Sequence, residues 1–289
     1  MIKADEAIEM YLLGPRGRRR SDLALSVSLL ILLLVATACA SGGGHAGKPA
    51  PIPYELIAPI LDRATLEPIE RWGYDAYVHD MVASRATAAV QIEIDLTKTG
   101  AMGWIVVPYE QGMLVRFIDH HERSIIDVSV DPFSFLSPFI IKNAPPKDLD
   151  ERDKSMWRAR ELALDQPFTL CAENYDVVVI PESDAPDSSW LVYMLATSDD
   201  ETVITFGGHQ KFRIDPEGRH VQESIPLSTA CMTGHYTEST TEFRLRLDSG
   251  PSEAHVYLNH LHGIPITIEQ IGGHGLWTIE KGRVRTRKE

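Results

Sequence analysis

Cysteine is scarce: Cys39, Cys171 and Cys231 are the three in 289 residues. No Cys-x-x-Cys pair and no His-Glu-x-x-His run occurs, so the commonest zinc signatures are missing. A Gly-x-Ser-x-Gly nucleophile elbow is absent, as is a Gly-x-x-x-x-Gly-Lys-Ser/Thr phosphate loop. Basic residues are outnumbered, 28 Lys and Arg against 41 Asp and Glu, for a formal net charge of −13. With no basic patch interleaved with aromatics, no nucleic acid is expected as a partner. The paired acids Asp199–Asp200 and the series Asp148, Asp150, Asp153 lack the alternating spacing and terminal Glu of a calcium loop, and read as solvated charge or a helix start. Long apolar runs are missing too, with one exception.

That exception is Leu23 to Ala38, preceded by a basic cluster of Arg16, Arg18, Arg19 and Arg20. As a helix, sixteen residues would span roughly 24 Å, short of a bilayer core of ~30 Å. A basic flank, a short apolar core and small residues at its end describe a secretory signal. The run ends Val35-Ala36-Thr37-Ala38-Cys39-Ala40. A cysteine directly after small residues resembles the lipobox of bacterial lipoprotein precursors, although Ala36 stands where leucine is commoner. The resemblance implies that residues 1–38 are removed and that Cys39 carries the acyl chains, palmitate among them. Chains of this kind anchor by about 0.8 kcal/mol per buried CH₂. Ala40, rather than Asp, after the cysteine implies delivery to the outer membrane, facing the periplasm. The alternatives are an ordinary cleaved signal and an uncleaved anchor. Asp5, Glu6 and Glu9 are unusual before such a signal, and translation from Met10 would give a more ordinary one.

Residues 39–53 follow as a tether, glycine-rich and then proline-rich. Residues 54–289 have the composition of a globular domain, with a subdivision expected near residue 146. Export to an oxidising compartment leaves Cys171 and Cys231 as an even number, and a disulfide between them is expected; two free buried thiols are the competing reading.

Tyr54, Ile57, Ala58 and Leu61, then Tyr74, Tyr77, Val78, Met81 and Val82, recur at helical spacing and predict two or three helices ending near Thr87, punctuated by Pro68 and Gly73. The period then becomes two. Val90–Leu96, Trp104–Val107, Met113–Ile118 and Ser124–Val130 read as strands, with prolines 132, 138, 145 and 146 as punctuation. Asp148–Asp165 reads as a helix with acids in its first turns. Everything after Pro167 reads as strand: Asp176–Ile180, Trp190–Ala196, Thr202–Phe206, Gln210–Ile214, Val221–Ile225, Thr241–Leu247, His255–Leu261, Pro265–Ile268 and Leu276–Ile279. The expected class is α+β, with N-terminal helices, a mostly antiparallel sheet and one further helix. A faint internal echo pairs a Trp104-led strand, a second strand and an Asp119-to-Arg123 turn with the same series at Trp190, Phe212–Asp215 and Arg219.

The richest cluster of candidate ligands is His255, His260, His262, Glu269 and His274. On a strand, His260 and His262 would share a face, and with His274 or Glu269 they would form a three-ligand metal site; polar residues of a sheet surface are the plainer account. Gly207-Gly208-His209 offers a general base, and His120–His121 falls at a turn. Trp72, Trp104, Trp157, Trp190 and Trp277 would serve either as core anchors or as a carbohydrate platform. The composite expectation is a lipid-anchored envelope domain that binds a ligand or a protein partner in the envelope, without catalysis and without a cofactor. A metal-dependent or histidine-based envelope hydrolase is the alternative.

Overall fold

A computed structural model of the chain describes residues 61–110, 112–228, 230–272 and 275–287. The signal, Cys39 and the tether lie outside the described residues, as does His274. The class is α+β, and all but one of the strand pairings are antiparallel.

Helix α1 runs unbroken over Arg63–Glu93, where the sequence predicts two or three helices. Asp62 caps it, its carboxylate accepting from the Thr65 amide at 2.9 Å. Pro68 lies in its second turn, so its missing N–H removes a single bond near an end. Gly73 does not break it either, because that position is where α1 crosses a later helix. A Cβ there would stand 2.6 Å from the Glu253 carbonyl oxygen and from Val256 Cβ. Gly73→Ala is therefore expected to cost about 2 kcal/mol and to lower the melting temperature by about 6 °C. An unchanged melt would contradict this crossing. The strand expected at Val90–Leu96 is corrected to helix as far as Glu93. Val82, Ala86 and Val90 form the buried row, four residues apart, whereas Ile92 is 86% exposed. The apparent alternation is a coincidence of composition.

Sheet 1 is a meander of β1 (Ala101–Tyr109), β2 (Gly112–Asp119), β3 (Arg123–Val130) and β4 (Phe139–Asp148), in that order. Its core, including Val115, Phe117 and Val128, packs on the C-terminal half of α1. β4 is a strand that the prolines concealed. It pairs only with β3, and an edge strand tolerates Pro145 and Pro146 because its outer N–H groups have no ladder to join. Helix α2 (Glu151–Leu164) follows, capped by Asp150.

Sheet 2 is a second meander: β5 (Asn174–Pro181), β6 (Trp190–Thr197), β8 (Gln210–Ile214) and β9 (Val221–Pro226). Both its faces are covered. Val177, Val192 and Phe212 meet α2 residues such as Trp157, while Val178, Leu191 and Tyr193 face the opposite core. Short strands β7 (Val203–Thr205) and β10 (Thr233–His235) pair beside it. The Cys171–Cys231 disulfide is present and spans 60 residues.

Sheet 3 comprises β11 (Phe243–Leu247), β12 (Ile266–Gln270), β13 (Leu276–Glu280) and β14 (Arg283–Thr286). β11 and β12 are parallel, which requires a crossover, and helix α3 (Glu253–His262) supplies it. The strand expected at His255–Leu261 is thereby corrected to helix. Ser252 before it, Glu253 in its first turn and Gly263 after it are the end signals.

The Trp-led echo has a structural basis in its turns. Asp119 and Asp215 each accept, through the backbone carbonyl, from the residue three further on, and through the carboxylate from the amide four further on. In both, the third residue, Glu122 or Gly218, has positive φ. The shared signal is one hairpin geometry, a tight turn followed by a bulge. The strands do not occupy the same place: Trp104 is on the first strand of its meander and Trp190 on the second. Helix α1 contributes to the cores of sheet 1 and of sheet 3, and residues 61 onward form one compact unit.

Candidate ligand cleft and the buried acids beneath it

β1 and β5 are edge strands of different sheets, and both lie against α1. Their edges do not pair. Between them runs a slot lined by His79, Asp80, Trp104 and Asp176. Toward Pro108 and Pro181 the slot opens into a cleft of about 1110 Å³. Proline at each strand's cleft end withholds an N–H from any intruding strand. The remaining walls are the first turns of α2, the loop 183–187 and the turn 216–219.

Two tryptophans line the cleft, each carrying an arginine. The Arg71 guanidinium sits 4.4 Å from the Trp72 ring centroid, and Arg152 lies 3.8 Å from that of Trp190. Arg152 is also held by the carbonyls of Pro186 and Ser188. Arg116 donates to Asp153 at 2.6 Å, but its buried Nε has no hydrogen-bond partner and stands 3.8 Å from the Asp127 carboxylate. Burial raises the Asp75 carboxyl above its usual range, against the pull of Arg71.

His79 is the central polar group of the floor. It is buried, its Nδ1 has no hydrogen-bond partner among the described residues, and it lines both slot and cleft. Burial lowers its pKa to about 4, so the imidazole is neutral at pH 7. Arg71, Asp75 and His79 recur every four residues and so share one face of α1, the face turned to the cleft.

The next residue, Asp80, accepts from the buried Tyr257 hydroxyl of α3 at 2.9 Å. Burial raises its pKa to about 6. Asp176, on β5, is raised well above its ordinary value by burial and by the nearby Asp80 charge. The two carboxyls thus retain a proton into the neutral range.

The histidines singled out in sequence are dispersed. On α3, His260 and His262 are two residues apart and point to different sides of the helix. His260 stacks on Tyr77 and meets Tyr74 edge-on, while His262 packs against Tyr236. Glu269 pairs with Arg246 on sheet 3. His255 is a helix-cap residue, its Nδ1 accepting from the Ser252 amide. Among the described residues, no group of three His, Cys, Asp or Glu is placed to hold a metal. His209 is buried, with Nδ1 accepting from the Ala196 amide and Nε2 donating to the Thr205 carbonyl. Both nitrogens are thus committed to the backbone. The rings of His120 and His121 meet at a tilt, exposed, at the β2–β3 turn. Of the tryptophans, Trp72 and Trp190 reach the cleft, and Trp157 and Trp277 lie in the cores.

No family model matches the chain, and no curated protein or solved structure shows significant similarity to it.

Proposed function

We propose that the protein is a lipid-anchored binding protein of the cell envelope, held on the outer membrane through Cys39 and facing the periplasm, with its ligand seated in the cleft between β1 and β5. The observation that carries the cleft assignment is His79: a buried, neutral imidazole with an unpartnered nitrogen on the floor of a cavity large enough for a small molecule or a short peptide. Buried polar atoms without partners are uncommon; Nδ1 is closed off from solvent, and a turn of the ring toward the cleft that His79 lines would let a ligand atom satisfy it. Trp72, half-buried with Arg71 over its ring, supplies an aromatic and cationic wall, and Arg116, held by Asp153, adds positive charge to the lining. The lipobox resemblance supports the anchor, and the disulfide accords with an oxidising compartment.

A photo-crosslinking residue in place of Asp184, on the cleft rim, tests the reading in cells with the anchor intact. A specific adduct is expected, and His79→Phe combined with Trp72→Ala is expected to reduce it at least tenfold. His79→Phe enlarges the ring by one member beside the slot and breaks no ring hydrogen bond, so its melt should stay within about 2 kcal/mol of the parent. An adduct that survives the double substitution would remove the cleft as the site. Mass analysis of the N-terminal peptide tests the anchor separately: an unacylated Cys39 removes it.

A further inference from the structure

The β3–β4 loop and the first residue of β4 present four large apolar side chains outward. Phe133, Phe135, Leu136 and Phe139 are 77%, 107%, 78% and 68% exposed. Together they offer on the order of 500 Å² of apolar surface, at the upper end for a monomer. The loop is braced rather than slack. The Arg85 guanidinium of α1 donates to the carbonyls of Asp131, Ser134 and Leu136, each at 2.9 Å. The Asp131 carboxylate takes the Phe133 amide, and the Ser134 hydroxyl takes the Leu136 amide. Several of the loop's backbone groups are thus satisfied internally while its apolar side chains face out. From Pro132 to Ile141 no residue is charged, in a chain whose net charge is −13, and Lys142 follows directly.

We propose that this loop dips into the periplasmic leaflet of the outer membrane next to the lipid anchor, so that the domain rests on the bilayer through Phe133, Phe135, Leu136 and Phe139. The inference rests on the anchored reading above. Residues 40–60, fully extended, reach at most about 70 Å, so the anchor keeps the loop within constant range of lipid. The surface is convex, a set of side chains projecting from a turn. A protein partner would need a matching pocket, whereas a bilayer accepts such a projection at any lateral position. Between Pro132 and Ile141 no acid meets the anionic headgroups, the flanking Asp131 carboxylate is engaged by the Phe133 amide, and the bonds within the loop lower the cost of bringing its backbone to the interface.

The test uses the mature chain purified from membranes, carrying Phe135→Trp. It is mixed with vesicles of phosphatidylethanolamine and phosphatidylglycerol containing acyl-brominated phosphatidylcholine. Relative to the parent chain, the reporter at position 135 is expected to shift blue and lose roughly half its emission to the bromines. Adding Phe133→Ser and Phe139→Ser should abolish that quenching while the melt stays unchanged, because both side chains are exposed. An acylated, vesicle-bound chain whose reporter stays open to acrylamide would overturn the loop proposal and leave the anchor standing. Bromine quenching in a chain without acyl groups would support the loop and overturn the anchor. Reporter protection that appears without vesicles and grows with protein concentration would assign the surface to a second copy, and overturn the proposal too.

Discussion

Asp80→Asn is expected to stabilise the protein at pH 7 by on the order of 2–3 kcal/mol, raising the melting temperature by about 6 °C. The folded-state pKa of Asp80 is raised from 3.8 to about 6 by burial. In that interval the folded state binds more protons than the unfolded one, so stability falls as pH rises. The contribution is most favourable below about 3.8 and is lost as pH passes through about 6. Asn keeps an acceptor for the Tyr257 hydroxyl and removes the buried charge, so that bond survives. Melts between pH 4 and pH 8 check the sign: the parent should lose stability across the interval more steeply than the variant. Destabilisation by Asp80→Asn at pH 7 would show that the carboxylate is needed as an ion.

Replacing Cys171 and Cys231 together by serine is expected to cost about 4 kcal/mol, from the chain entropy that a closed loop of this length denies to the unfolded state. The melting temperature should fall by about 10 °C. The same fall is expected on reducing the parent, and the serine variant should be indifferent to reductant. Two reactive thiols in the unfolded, unreduced protein would sink this expectation.

Much of the fold was legible because its strands alternate. Ser124–Val130 and Gln210–Ile214 bury nearly every second residue, a period of two that is hard to mistake, whereas Met113–Ile118 is legible as a short apolar run buried on both faces. Helix α3 was not legible by that means. From Ala254 to Asn259 it is buried on every side, so it has no polar stripe, and His255-Val-Tyr-Leu has strand-like composition. Its end residues, Ser252 and Gly263, were the usable signal. β4 was obscured by prolines that an edge position tolerates.

The cleft was harder still. Its parts come from α1, β1, β2, α2, β5 and two loops, and no one window of sequence contains its opposing walls. The row Arg71, Asp75, His79 and the first turns of α2 are local, but nothing in the sequence brings them face to face. The histidine-rich C-terminal segment has strand-like composition, and a strand would align the side chains of His260 and His262 that the helix separates.

Helix α1 also constrains the order in which the protein is completed. Tyr257 reaches Asp80 across 177 residues, and Arg283 and the Val284 amide reach Glu70 across 213 and 214. A chain emerging from its N-terminus therefore presents the first half of this helix long before its covering residues exist. Sheet 1 can close on the second half early, while Leu66 and Ala76 wait for strands and a helix from the far end of the chain. A truncation that removed only the final hairpin would reopen the beginning of the molecule.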